Sequence, residues 1–198
     1  MIDAALAACA PHVSPVTLAA IIRVESAGRP LAININKGPR VPPARTATEA
    51  ATVARSWIAR GYSVDLGLMQ VNSRNLARLG VSVEQMFEPC ANIAAGAYIL
   101  SNNYRAAAKV RGDGQHALRD ALSAYNTGDF RRGYTNGYVE KYYNMTYSNI
   151  RIAPPISGSA VAVADPFSAE TSVFSRKDVS NDAIGSAAGS TAPAYRLD

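Results

Sequence analysis

The sequence predicts a mainly α, α+β protein: a compact helical domain over residues 1–150 with a short extended or hairpin element, then a flexible tail over 151–198. Three observations predict it. Apolar residues recur at helical spacing in several segments, each bounded by capping or breaking residues. The segment Leu66 to Val71 is too short for a helix and is interrupted by Gly67 and followed by Asn72, so it reads as extended or irregular. Beyond residue 150 the chain is rich in Ala, Ser, Pro and Gly and loses period of either kind, the composition of a linker and not of a second core.

Taken in order, Ser14-Pro15 is a strong helix start, with Ser as N-cap and Pro in the first turn. The helix runs through Leu18, Ile21, Ile22 and Glu25 to Gly28, its expected C-cap. Residues 29–45 are a Gly/Pro-rich connection. Thr46-Ala-Thr-Glu49 has capping-box spacing, and Ala51, Ala54, Trp57 and Ile58 continue a helical stripe to Gly61. Ser73 is expected to cap a short helix ending near Gly80, and a further helix around 83–87 stops before Pro89. The longest helical pattern covers about 91–110, through Ile93, Ala94, Ala97, Tyr98, Leu100 and Tyr104. After the turn Arg111-Gly-Asp-Gly114, Leu118, Ala121, Leu122 and Tyr125 mark another helix, and a tyrosine-rich segment spans Tyr134 to Tyr147.

Composition narrows the function classes. A net charge of +5 is basic, but the positive residues are scattered without a Lys/Arg-rich block, as on a solvated surface. A nucleic-acid binder would need a basic stripe with interleaved aromatics, and none is found. No apolar run approaches the length of a membrane span. The start, Met1-Ile2-Asp3-Ala4-Ala5-Leu6, lacks the basic and apolar regions of a signal peptide, so an export signal is not visible. The two cysteines, Cys9 and Cys90, match no zinc or redox spacing. They are either two buried thiols or one disulfide closing a long loop.

Three clusters carry chemistry. Glu25 follows Ile22 by three residues, Ile21 by four and Leu18 by seven, so it continues the apolar stripe of its helix. Burial and the negative end of the helix dipole both disfavour its charged form, which suits a general acid near neutral pH. The plainer alternatives are an acid paired with Arg23 or Arg29, or one that simply lies at the rim of the stripe. In Asp65-Leu-Gly-Leu-Met-Gln70-Val-Asn72, Gln70 and Asn72 alternate onto one face if the segment is extended, and amides suit sugar recognition. The alternative is a turn with polar caps. Third, Ala124-Tyr125-Asn126 ends a helix, with Tyr138 downstream, offering aromatic faces and hydroxyls to a sugar or simply packing the core.

Glu25-Ser26 with Pro30, then Gly67-Leu68-Met69-Gln70-Val71-Asn72, then Ala124-Tyr125-Asn126 and Tyr138, together resemble the soluble lytic transglycosylase, goose-type lysozyme-like, catalytic domain. The flanks Cys9-Ala-Pro11, Val24-Glu25-Ser26, Asp65-Leu-Gly67 and Phe87-Glu-Pro-Cys90 are similar to the VirB1-type transglycosylases of type IV secretion and conjugation systems. The resemblance covers about residues 8–145.

It implies a lysozyme-like fold whose short extended element lines a sugar groove. It implies Glu25 as catalytic acid and base, and Ser26 and Gln70 as groups that contact substrate or orient the glutamate. Asn72, Tyr125 and Asn126 would line the groove, and Tyr138 would reach toward Glu25. It favours the disulfide over free thiols for Cys9 and Cys90. The implied substrate is the glycan strand of periplasmic peptidoglycan, cleaved between N-acetylmuramic acid and N-acetylglucosamine without metal or organic cofactor. Secretion-channel subunits are the implied partners. Two rivals stand beside it: a hydrolase using Asp65 as a second acid, and a non-catalytic scaffold working through its tail.

Overall fold

The computed structural model describes residues 4–143; the tail expected at 151–198 lies outside the described residues. Helices dominate: α1 (Ala4–Ala7), α2 (Pro15–Ser26), α3 (Ala47–Ala59), α4 (Leu76–Leu79), α5 (Pro89–Arg111), α6 (Gln115–Thr127), α7 (Arg132–Thr135) and α8 (Glu140–Tyr143). A small antiparallel sheet holds β1 (Ile33–Ile35), β2 (Val64–Leu66) and β3 (Val71–Asn72) in that order.

The long helix α5 is the spine. Its buried side includes Ile93, Ala94, Ala97, Ile99, Leu100 and Tyr104, and α6 packs along it through Leu118, Ala121, Leu122 and Tyr125. Alanine at so many contact positions lets the two helices approach closely while burying little side-chain entropy. On the other side, α2 contributes Leu18, Ile21 and Ile22 to the same core. The helix ends at Ser26, and its C-cap is Ala27, one residue earlier than the expected Gly28. Ala27 adopts the left-handed conformation itself (φ 54°), its N–H returning to the Arg23 carbonyl, while Gly28 N–H reaches Ile22. Ser14 is the N-cap, without a side-chain cap bond.

The α3 start follows its capping-box spacing, with Glu49 N–H donating to Thr46 Oγ1 (3.1 Å). The cap of the segment after β3 is Asn72 and not Ser73: Asn72 Oδ1 accepts from Arg74 N–H (3.0 Å), starting a 3-10 turn at Ser73–Asn75 that leads into α4. Ser73 Oγ instead accepts from Val64 N–H. The helix expected at 83–87 is a single 3-10 turn at Gln85–Phe87. The segment read as pure connection at 29–45 contains β1. Its Ile33-Asn34-Ile35-Asn36 alternates apolar and polar, the period of a strand with one face on the core.

Cys9 and Cys90 form a disulfide, tying the segment after α1 to the first turn of α5 across 81 residues of sequence. Closing so long a loop restricts the unfolded chain most. Cys9→Ser is therefore expected to lower stability by about 4 kcal/mol under oxidising conditions. With reductant present the variant and the wild type should melt together. Thermal melts in both buffers check this; a loss that persists in reductant would mean that the thiol's packing, and not the bridge, matters.

Candidate active site

The site forms where the end of α2, the sheet and the segment leading into α8 converge. Glu25 sits in the last turn of α2, half-buried, at the foot of the apolar stripe Leu18–Ile21–Ile22. Tyr138 OH donates to Glu25 Oε1. Tyr142 stands one turn further on, its hydroxyl 2.6 Å from that of Tyr138. The plainer alternative of an Arg29 pair is not what the structure shows, since Arg29 Nε donates to the Ser26 carbonyl (3.0 Å).

These surroundings set the charge of Glu25. Desolvation dominates and pushes its pKa up to about 7. The hydrogen bond from Tyr138 works against that shift, nearby Asp65 adds to it, and Lys141 opposes it. Tyr138 and Tyr142 are themselves pushed well above the ordinary phenol range by burial, so both stay protonated donors at neutral pH. A carboxyl that is poised between its two forms near pH 7 is equipped to give a proton and take one back.

The second carboxylate is placed by the sheet. Asn34, Asp65 and Asn72 pair directly across the three strands, so their side chains share one face. Ile33, Leu66 and Val71 form the neighbouring cross-strand row on the opposite face. On the polar face Asp65 Oδ2 accepts from Asn34 Nδ2 and Asn36 Nδ2 (both 3.0 Å), and Oδ1 accepts from Asn72 Nδ2 (2.6 Å). Burial raises the pKa of Asp65, and the three amides work to lower it. Ser63 Oγ accepts from Asn72 Nδ2 as well (2.7 Å).

The loop between β2 and β3 is fixed from below. Asn92 on α5 donates to the carbonyls of Leu66 and Met86 and accepts from Met69 N–H, at 2.7 to 2.8 Å. From the side, Tyr125 OH donates to the Met69 carbonyl (2.7 Å). The loop therefore has little freedom relative to either α5 or α6.

Each residue singled out in the sequence has a definite place. Glu25 and Tyr138 meet directly. Gln70 does not alternate with Asn72 along a strand: it lies in the turn before β3 at φ 48°, its Nε2 bonded to the carbonyls of Gly67 and Ala32. Asn72 is fully buried and spends its amide on Asp65 and Ser63. Ser26 is buried with Oγ donating to the Ile22 carbonyl (3.0 Å), inside its own helix. Tyr125 is fully buried against the loop. Asn126 is half-buried, its Oδ1 accepting from Asn136 Nδ2 (3.0 Å).

Five residues of the site are not singled out by the sequence: Asn34, Asn36, Ser63, Asn92 and Tyr142. For Asn34 and Asn36 the signal was the two-residue alternation on β1, and for Tyr142 it was the four-residue spacing from Tyr138. Among the described residues no helix is long and apolar enough to cross a membrane.

Comparison with known proteins agrees with this geometry. The family described as "Transglycosylase SLT domain" matches residues 4–147. The chain is 39% identical over 149 residues to "Protein virB1" of Agrobacterium fabrum (strain C58), covering 75% of this chain and 59% of that protein. It is 39% identical over 170 residues to "Type IV secretion system protein virB1" of Brucella suis biovar 1 (strain 1330), covering 80% of this chain and 71% of the relative. "Invasion protein IagB" of Salmonella typhimurium (strain SL1344) is 36% identical over 96 residues, or 43% of this chain. The chain thus spans about three-fifths of the length of the Agrobacterium relative. No solved structure matches. With the family matched across every element from α1 to α8 and Glu25 and Tyr138 joined at its centre, the chain belongs to the transglycosylase SLT domain family.

Proposed function

We propose that the protein is a peptidoglycan lytic transglycosylase that acts in the periplasm to open the cell wall locally for a type IV secretion or conjugation channel. The observation that carries the reading is Glu25: a half-buried carboxyl, its pKa about 7, held by a tyrosine whose own proton is fixed. The VirB1 names of the relatives support the setting.

In this reading protonated Glu25 gives its proton to the glycosidic oxygen between N-acetylmuramic acid and N-acetylglucosamine. The C1–O bond breaks, and the substrate's own N-acetyl carbonyl oxygen supports the cationic C1. Glu25, now a carboxylate, takes the proton of the C6 hydroxyl as that oxygen bonds to C1. A 1,6-anhydro sugar results, and no water is consumed. Tyr138 donates to the glutamate throughout, which steadies the carboxylate half of the cycle. Ser26, Gln70, Asn72 and Tyr125 support the groove from within through the bonds described above, and Asn126 stands at its rim.

Asp65 favours this one-acid chemistry over hydrolysis. A hydrolase needs a second carboxylate with a free lone pair for water, in the geometry of paired glycosidase acids. Asp65 already accepts from three amides, which fill three of its roughly four lone-pair sites and work to lower its basicity, so it is poorly equipped to take a proton from water.

Mass spectrometry of the fragments that the protein releases from purified peptidoglycan tests the reading. The expected products end in 1,6-anhydro-N-acetylmuramic acid. Reducing ends would make it a lysozyme and return Asp65 to the mechanism. No fragments at all would leave a peptidoglycan-binding scaffold.

A further inference from the structure

Tyr142 has no part in the chemistry above, yet its hydroxyl is buried in the middle of it. Tyr138 lies just before α8 and Tyr142 within it; both are only 4% exposed, and their rings meet edge to face with centroids 5.2 Å apart. Among the described residues Tyr138 is the hydroxyl's hydrogen-bond partner. A phenol carries one proton to donate. An ionised Glu25 can only accept, so the Tyr138 proton goes to Glu25 Oε1 and the Tyr142 proton goes to the Tyr138 oxygen. When Glu25 is protonated the chain still prefers this direction. Reversing it would have Tyr138 donate to Tyr142, and Tyr142 would then hold a buried proton with no acceptor among the described residues.

We propose that Tyr142 is a positioning residue: by donating to Tyr138 it fixes the direction of the chain Tyr142 to Tyr138 to Glu25, so that Oε1 always accepts and the acid proton is carried by Oε2. The proposal rests on the reading of Glu25 as the acid. It deepens that reading by naming what decides which carboxyl oxygen faces substrate with a proton. Cooperative polarisation adds a second effect, because a Tyr138 hydroxyl that accepts a bond donates a stronger one. Tyr142 thereby stabilises the carboxylate that must form midway through the reaction.

The other charged and titratable groups around Glu25 stay in place when the Tyr142 hydroxyl is removed. Asp65 faces it from β2, Lys141 from α8 and Tyr125 from α6. Arg23 and Arg29 on or beside α2 are exposed. Tyr142→Phe keeps the ring and its packing on α2 and deletes only the donor.

The test titrates Glu25 by carbon NMR in the full chain labelled at the glutamate carboxyls, the signal assigned by its loss in Glu25→Gln, beside turnover of peptidoglycan. Tyr142→Phe is expected to raise the Glu25 midpoint by roughly half a pH unit, since the carboxylate loses support. Its kcat should fall about tenfold with KM unchanged. Added to Tyr138→Phe, the same change should do nothing further, because the chain is already cut. A midpoint that does not move, or an equal extra loss in the Tyr138→Phe background, overturns the proposal. If Tyr142→Phe fails to fold, 3,5-difluorotyrosine placed at position 142 takes over. As a stronger donor it should lower the midpoint, and an unchanged or raised midpoint overturns the proposal. A midpoint that moves as expected while Glu25→Gln remains active would overturn the catalytic reading and leave the hydrogen-bond chain standing.

Discussion

Glu25→Gln is expected to abolish cleavage of peptidoglycan and, above neutral pH, to make the protein more stable than the wild type. The amide oxygen still accepts from Tyr138, so the tyrosine pair keeps its arrangement, while the acid proton is gone. Wild-type activity should itself fall as pH rises through about 7, where Glu25 loses that proton. The stability gain follows from the same burial that makes Glu25 an acid. The folded carboxyl titrates near 7 and the unfolded one near 4.5, so between these values the folded state binds more protons. Its contribution is full below pH 4.5, falls as pH rises through that window, and is lost above 7. At pH 8 the wild type thus carries a carboxylate that its surroundings disfavour by about 3 kcal/mol, part of which Gln relieves. The weakened Tyr138 bond offsets some of the gain, leaving about 2 kcal/mol, or roughly 4–8 °C in Tm. Melts of both proteins at pH 4 and pH 8 separate the cases. Curves that coincide at pH 4 and split at pH 8, with the variant higher, are expected. A variant less stable at both would mean that the glutamate holds the fold together and is not a strained functional group.

How much of this was legible beforehand depended on the range of the interaction that placed each residue. Glu25 was legible because its environment is written in its own helix: Leu18, Ile21 and Ile22 fix the face it occupies. The capping of α3 by Thr46 was legible for the same reason, since cap and capped amide lie three residues apart. The segment before α4 shows how local reading fails by one place. Ser73 is as good a capping residue as Asn72, and only the pull of Val64 N–H on its hydroxyl decides between them. For Gln70 the local pattern leaves a strand and a turn with polar caps both open, and Gly67 decides for the turn, which carries Gln70 out of the ladder. Asn92 was not legible. Within an alanine-rich helix it looks like a polar residue on a wet face, and its partners lie 6, 23 and 26 residues away. A buried amide that joins three backbone groups has no signature in its own neighbourhood.

Gly67→Ala is expected to unfold the site, because two independent costs fall on one atom. The backbone there is left-handed (φ +72°), a conformation a side chain adopts only with strain of about 1 kcal/mol. The added Cβ would also collide with the Met86 carbonyl oxygen and the Asn92 amide. Neither neighbour can yield. The carbonyl belongs to backbone that accepts from Asn92, and Asn92 is held by three bonds in a site 1% exposed. Pushing Asn92 aside would leave buried donors and acceptors unpaired at about 1–3 kcal/mol each, so the whole change should exceed about 4 kcal/mol. Gly61→Ala separates the two costs. Its backbone is equally left-handed (φ +86°), but nothing lies within 4 Å of the added carbon, so it should lose only about 1 kcal/mol. Urea unfolding of both variants makes the comparison. Equal losses would mean that strain alone acts at Gly67 and that the loop is free to move off Asn92. A much larger loss at Gly67, with cleavage abolished, would mean that the turn carrying Met69 and Gln70 is clamped against α5, and that Glu25 can act only while the clamp holds.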